Sequence, residues 1–204
     1  MIQFLKEAKA TSSVLATLSG EVKTKVLNDM ADALMAHCDY IVSKNNLDMS
    51  AGKLGNLSSS MLDRLFLNGD TVKAMAQSIR DIAKLREPVG RVLDGWVTEN
   101  GLNIQKVSVP IGVIGIIYES RPNVTSDTAA LCFKSGNVCV LKGGKEAEHS
   151  NNAIAKVLQE VLAKNHLPTQ AISLIPDSSR KGVKELIRQD KYVDLVIPRG
   201  GEGL

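Results

Sequence analysis

One stretch of the chain, residues 109–146, restricts the possible folds more than any other. It opens with small and β-branched residues at 111–117. This run is too short to span a membrane and too continuously apolar for a strand with one solvent-exposed face. A polar segment follows, and we expect a helix over about 124–134, which Gly136 ends. A second apolar run occupies 138–141. This order predicts a βαβ unit with functional loops at the carboxyl ends of its strands.

The same alternation continues to the end of the sequence. Helical patterns at 149–165 and 179–189 separate two further short apolar runs at 171–175 and 193–197. Four apolar strands separated by helices predict an α/β fold with a doubly wound, mostly parallel sheet. The glycines at 112 and 115 lie within a predicted strand, so we expect them to serve close packing. The GxGxxG fingerprint of many dinucleotide-binding proteins is absent.

The first half of the chain has a different pattern. Apolar spacings of three and four predict two antiparallel helices over 2–46, a polar connection, and helices from Ser58 and over 70–85, with Pro88 as a stop. Two alternating runs then flank Glu99-Asn100-Gly101, a strong hairpin signal. The expected division is a helical lead-in at 1–88, a β-hairpin at 89–109 and a Rossmann-like cofactor domain at 110–204. Trp96 is expected in hairpin packing or a subunit contact.

Composition excludes several classes of function. A hydrophobic fraction of 44% with 23% charged residues is that of an ordinary globular protein. The charged N-terminal segment does not resemble an export signal. We therefore expect a cytoplasmic location and no membrane association. The net charge of +3 comes from 25 basic residues interleaved with 22 acidic ones, and aromatic residues are only 3%, which argues against nucleic-acid binding. No disulfide framework and no metal-site spacing is visible.

Three loops carry the candidate chemistry. Lys142-Gly143-Gly144-Lys145 combines a close backbone approach with two ammonium groups, which suits a ribose phosphate, although a glycine turn with solvated lysines fits the spacing equally well. Arg199-Gly200-Gly201 follows a predicted strand, where a loop would meet a cofactor pyrophosphate.

The polar segment 118–125 is the candidate substrate site, through Glu119, Ser120, Arg121 and Asn123. Arg121 offers a planar donor fork for a carboxylate or acyl phosphate, and Asn123 an amide for a developing oxyanion. The structural alternatives are an ion pair between Arg121 and Glu119, and a helix cap at Asn123 or Thr125.

The segments IGVIGIIYESRPNVTSDTAALCFKSGNVCVLKGGKEAEHSN and VIPRGGEGL make the chain resemble the gamma-glutamyl phosphate reductases, also called glutamate-5-semialdehyde dehydrogenases, of the aldehyde dehydrogenase superfamily. The resemblance runs from about residue 62 to the last residue. It implies NADPH-dependent reduction of L-glutamyl 5-phosphate to L-glutamate 5-semialdehyde and phosphate, the second step of proline biosynthesis from glutamate. The alternatives are another aldehyde or acyl dehydrogenase of the superfamily, and a nucleotide-binding module without catalysis.

The resemblance also assigns roles. In NAD-using relatives a lysine at the place of Lys142 holds the adenine ribose and a glutamate stands where this chain has Lys145, so a 2′-phosphate and therefore NADPH is expected. A cysteine thiolate attacks the acyl phosphate in this family, and it is expected in a catalytic domain beyond Leu204, because Cys132 and Cys139 match apolar core positions. The chain alone is then expected to be an inactive cofactor-binding part. A homo-oligomer and the glutamate 5-kinase of the preceding step are the expected protein partners.

Overall fold

A computed structural model describes residues 2–176 and 179–201. Its helices are α1 (Ile2–Ala16), α2 (Gly20–Ala36), α3 (Cys38–Leu54), α4 (Ser59–Leu65), α5 (Gly69–Lys84), α6 (Asn123–Lys134), α7 (Glu148–Lys164) and α8 (Arg180–Leu186). Its strands are β1 (Val92–Val97), β2 (Asn103–Val107), β3 (Val113–Tyr118), β4 (Val138–Lys142), β5 (Ile172–Leu174) and β6 (Leu195–Arg199).

The last four strands form one parallel sheet in the order β5-β4-β3-β6. Every residue of β3 and β4 is buried, as their continuous apolar runs predicted. Strand β6 is an edge strand, and it leaves Leu195 and Ile197 about two-fifths exposed. The predicted mostly parallel sheet is confirmed. Strands β4 and β5 are added on one side of β3 and β6 on the other, which places the topological switch point between β3 and β6, where α/β folds bind ligands.

Helices α6 and α7 pack on the sheet, and α2, α3 and α5 pack on those two helices. The predicted apolar face of α5 is confirmed, since Val72, Met75, Ala76, Ile79 and Ile82 are all buried. Asn68 and Thr71 form a capping box that begins this helix. One continuous core therefore joins the helical first half to the sheet.

The prediction of two helices over 2–46 is wrong, and the polar connection expected after them is shorter than predicted, since α3 ends at Leu54 and α4 begins at Ser59. Three helices are present, and α3 runs through Asn45 and Asn46, which the sequence suggested as loop residues. The reason is tertiary: Asn45 and Asp48 are buried in α3 and hydrogen bond to the ends of other helices. The break between α2 and α3 lies at His37.

The predicted hairpin is confirmed. Strands β1 and β2 pair antiparallel, with Trp96 opposite Ile104, and Gly101 takes a φ of +83° in the turn. Most of the hairpin is exposed, including half of the Trp96 surface. Among the described residues it forms a separate two-stranded sheet.

Candidate functional site

The carboxyl ends of β3, β4 and β6 open into one cleft of about 1100 Å³. The three candidate loops meet there because parallel strands present their carboxyl ends at the same edge of a sheet. Of the predicted site residues, the following line this cleft: Glu119, Ser120, Arg121, Lys142, Gly144, Lys145, Arg199, Gly200 and Gly201. Gly143 belongs to the same loop but is buried against Tyr118 and Asn151, and Asn123 lines a neighbouring recess.

The lining of the cleft is predominantly basic. Five of its described side chains are cationic and two are anionic; the cations are Arg64, Arg121, Lys142, Lys145 and Arg199, and the anions Glu119 and Glu146. Clustered cations at a concave surface attract anionic ligands and raise their local concentration. The arrangement therefore suits phosphorylated ligands.

The two predicted lysines have different environments. Lys142 ends β4 and is 4% exposed, and its Nζ donates to the Gly143 carbonyl at 3.0 Å. Lys145 begins the short 3₁₀ turn before α7 and is exposed on the cleft wall. Lys145 is thus the lysine with its charge open to a ligand, whereas Lys142 also braces its own loop.

The glycines of this loop satisfy a steric requirement. A Cβ at Gly143 would overlap the Asn151 amide nitrogen and approach the Tyr118 ring at 3.2 Å. A Cβ at Gly144 would lie 2.7 Å from a Glu146 carboxylate oxygen. The clash at Gly143 is with buried side chains, so that position requires glycine, whereas the Glu146 carboxylate is the end of a flexible side chain that can move away from Gly144.

A buried polar chain supports the loop from below. The Tyr118 hydroxyl lies 2.7 Å from Thr125 Oγ1, which donates to Asn151 Oδ1 at 2.9 Å. Burial raises the pKa of the Tyr118 phenol well above its ordinary value, so this group stays neutral. The chain ties β3, α6 and α7 together directly beneath the cleft.

The β3 loop is tied to the β6 loop through Glu119. Its carboxylate accepts a hydrogen bond from the Gly201 amide at 3.1 Å. The structural alternative for Arg121 is an ion pair with Glu119. Within residues 2–176 and 179–201, no such ion pair is present. The exposed Arg121 guanidinium faces the cleft with no described carboxylate within 4.0 Å.

The structure corrects the role expected for the start of α6. Neither Asn123 nor Thr125 caps this helix; Pro122 precedes it and no side chain caps it. Asn123 instead donates from Nδ2 to Asp127 at 3.1 Å, and Thr125 belongs to the buried chain. Both side chains find partners along and beneath the helix, which the local sequence could not reveal.

Sequence reasoning missed the wall of the cleft opposite the strand ends. Met61 and Arg64 of α4 and Ser179 and Val183 of the β5–β6 connection line it. An exposed arginine on a seven-residue helix gives no local signal of a site. Only the tertiary contacts of α4 bring it beside the β3 loop.

Two kinds of site are not found in the described part of the chain. None of its groups of His, Cys, Asp and Glu could hold a metal ion, and none of its helices is long and apolar enough to cross a membrane. The three cysteines are free. Burial raises the pKa of the Cys139 thiol, the reverse of what an activated nucleophile needs.

A parallel sheet in this strand order, with a basic cleft at its topological switch point, is typical of nucleotide-binding α/β proteins. A family model described as the aldehyde dehydrogenase family matches residues 1–202, and the chain belongs to this family. Members of the family use a nicotinamide cofactor.

Curated relatives with high sequence identity to the chain share one name. Gamma-glutamyl phosphate reductases of Aliarcobacter butzleri and Sulfurimonas denitrificans are 64% and 66% identical over all 204 residues. The crystal structure of gamma-glutamyl phosphate reductase from Thermotoga maritima superposes with a TM-score of 0.97 at 39% identity, over 100% of this chain and 49% of that one. The predicted resemblance is confirmed. The chain spans about half the length of these relatives, 50% of both curated proteins.

The wider family shares the fold at low sequence identity. An acetylating aldehyde dehydrogenase from Geobacillus thermoglucosidasius superposes with a TM-score of 0.70 at 18% identity, over 98% of this chain and 41% of its own. This likeness concerns the architecture of the sheet and its helices. It leaves the choice of substrate to the residues of the cleft.

Proposed function

We propose that this chain forms the cofactor-binding part of an NADPH-dependent reductase that converts L-glutamyl 5-phosphate to L-glutamate 5-semialdehyde and phosphate. One observation carries the proposal: three loops of the parallel sheet meet in one basic cleft, in a chain whose relatives are named gamma-glutamyl phosphate reductase. Both proposed ligands are phosphorylated, and the five cations of the cleft suit them.

The cofactor fits the residues present. The bare backbone at Gly144, which follows the buried Gly143 and lines the cleft, would let a ribose approach the end of β4, and the exposed Lys145 would pair with a 2′-phosphate. Arg199, Gly200 and Gly201 would lie along the pyrophosphate. When bound, NADPH would supply the hydride that reduces the activated carbonyl.

The substrate would lie against the β3 loop. Arg121, whose guanidinium has no described partner, would bind the acyl phosphate and stabilise negative charge on it, with Glu119, Ser120 and Asn123 around it. The proposed nucleophile is a cysteine outside these 204 residues, because Cys132 and Cys139 are buried and Cys38 is half-buried on α3. We therefore propose that this chain alone has no reductase activity.

The cofactor proposal is tested by titrating the chain with NADPH and NADH. Lys145→Glu should weaken NADPH binding about tenfold or more and change NADH binding little, since it reverses a charge beside the 2′-phosphate. Lys142→Ala should weaken both, because this buried side chain also braces the loop. Lys73→Glu, on the exposed surface of α5, is the matched control. Equal affinity for both nucleotides in every variant would contradict the proposal.

The remaining expectations also belong to the proposal. The exposed apolar side chains of the hairpin, including Leu93, Trp96 and Val97, would be covered in a homo-oligomer. The glutamate 5-kinase of the preceding step is a proposed partner, and the cytoplasm the proposed location. The division at residues 88 and 109 separates the helical lead-in, this hairpin and the cofactor-binding sheet.

A further inference from the structure

A second, smaller recess adjoins the main cleft on the side of α4. Its volume is about 450 Å³, and every residue that lines it is polar: Ser59, Ser60, Asp63, Arg64, Arg121 and Asn123. Arg64 and Arg121 line both the recess and the cleft, so the two cavities meet at these guanidinium groups. A ligand held in the cleft can therefore extend into the recess.

The recess holds charges of both signs without internal pairing. Within the described ranges, neither arginine has a carboxylate within 4.0 Å, and Asp63 has no ammonium or guanidinium within that distance. All three side chains are exposed. An all-polar recess that offers two guanidinium groups and one carboxylate matches a ligand with a carboxylate and an ammonium group on one carbon.

The wall that carries Asp63 and Arg64 is fixed in place. Ser58 caps α4 by accepting from the Met61 amide at 3.3 Å. At the other end of α4, the buried Asn45 amide donates to the Leu65 carbonyl at 2.7 Å. The carboxyl end of α4 is therefore anchored to α3 and the Ser58 cap orders its first turn, so the backbone that carries Asp63 and Arg64 is fixed before a ligand binds.

We propose that this recess binds the α-amino-acid head group of the substrate, with Arg64 on the α-carboxylate and Asp63 on the α-ammonium group, while Arg121, which lines both cavities, stays on the acyl phosphate. This inference rests on the proposed function. The reacting end of the substrate must lie at the strand ends, where the cofactor loops are, so its other end extends away from them towards α4. Asp63 and Arg64 then select an amino acid over a simple acyl phosphate.

The test is calorimetric titration of the chain with 2-amino-6-phosphonohexanoate, a stable phosphonate with the same number of atoms between its α-carbon and phosphorus as glutamyl phosphate. Pentylphosphonate, which lacks only the amino-acid head, is the comparison ligand. The variants are Arg64→Gln, Arg64→Lys and Asp63→Asn, with Arg188→Gln on the exposed surface as the matched control. Circular dichroism melting establishes that each variant is folded.

Arg64→Gln should weaken binding of the amino-acid phosphonate about tenfold or more and leave pentylphosphonate within about twofold. Arg64→Lys should recover part of the loss, and Asp63→Asn should weaken the same ligand selectively. Equal effects of Arg64→Gln on both ligands would make Arg64 a phosphate ligand and overturn the proposal. Effects of the Arg64 and Asp63 variants no larger than those of Arg188→Gln would also overturn it. A wild-type protein that does not prefer the amino-acid phosphonate over pentylphosphonate would overturn it as well. NADPH titration of the same samples tests the proposed function separately.

Discussion

Replacing Asn45 by alanine should destabilise the protein strongly, because its buried side chain satisfies polar groups of two other helices. Asn45 is completely buried, and its Nδ2 donates to the Leu65 carbonyl at 2.7 Å and to Ser150 Oγ at 3.0 Å. Its Oδ1 accepts from the Leu67 amide at 2.8 Å. One side chain thus joins α3, the end of α4 and the start of α7.

The magnitude follows from the groups left without a partner. Ser150 keeps its bond to Asp48, at 2.5 Å, so the Leu65 carbonyl and the Leu67 amide lose most. An unsatisfied buried polar group costs about 1–3 kcal/mol, so the two groups together cost about 2–6 kcal/mol, and we expect a loss of at least about 3 kcal/mol. This is a large fraction of the roughly 5–15 kcal/mol typical of a folded domain.

Urea unfolding followed by circular dichroism measures the loss. With a slope of about 3 kcal/mol per molar urea, the midpoint should fall by about 1 M. Asn152→Ala is the matched control, since Asn152 is exposed and donates to a single carbonyl in its own helix at 2.8 Å, and it should cost no more than about 0.5 kcal/mol. Equal midpoints for the two variants would refute the reasoning.

Two further predictions concern the start of β3. Gly112→Ala should destabilise by about 2 kcal/mol or more, because φ is +125° there and a Cβ would overlap the Asp194 carboxylate; Gly90→Ala, with φ +78° and open space, should cost less by urea unfolding. Burial opposes ionisation of Asp194, but hydrogen bonds from Lys9 and the Val113 amide prevail and hold the pKa of its carboxyl below the ordinary value. The carboxylate therefore stabilises the fold above the ordinary Asp pKa of about 3.9, and the stabilisation is lost as pH falls through the lowered value. The difference in unfolding free energy between wild type and Asp194→Asn should shrink from pH 6 to pH 3, and a constant difference would contradict this.

The candidate site shows how far local patterns reach. The loops after β3, β4 and β6 were predictable, because each follows an apolar run and the carboxyl ends of parallel strands share one edge. The position of Arg64 in the cleft was not predictable, since nothing near it in the chain shows that α4 lies against the β3 loop. The environment of Lys142 was equally hidden, because its burial depends on neighbours from other elements.

The sequence by itself determined the elements whose residues repeat with the period of their structure. The buried strands β3 and β4, the amphipathic face of α5 and the β1–β2 hairpin follow from side-chain spacing and from the backbone freedom of Gly101 and Gly136. The tertiary structure decided where polar residues go. Asn45 became a core residue, because buried amide groups are stable wherever distant segments supply their hydrogen bonds, and spacing along the chain carries no information about those partners.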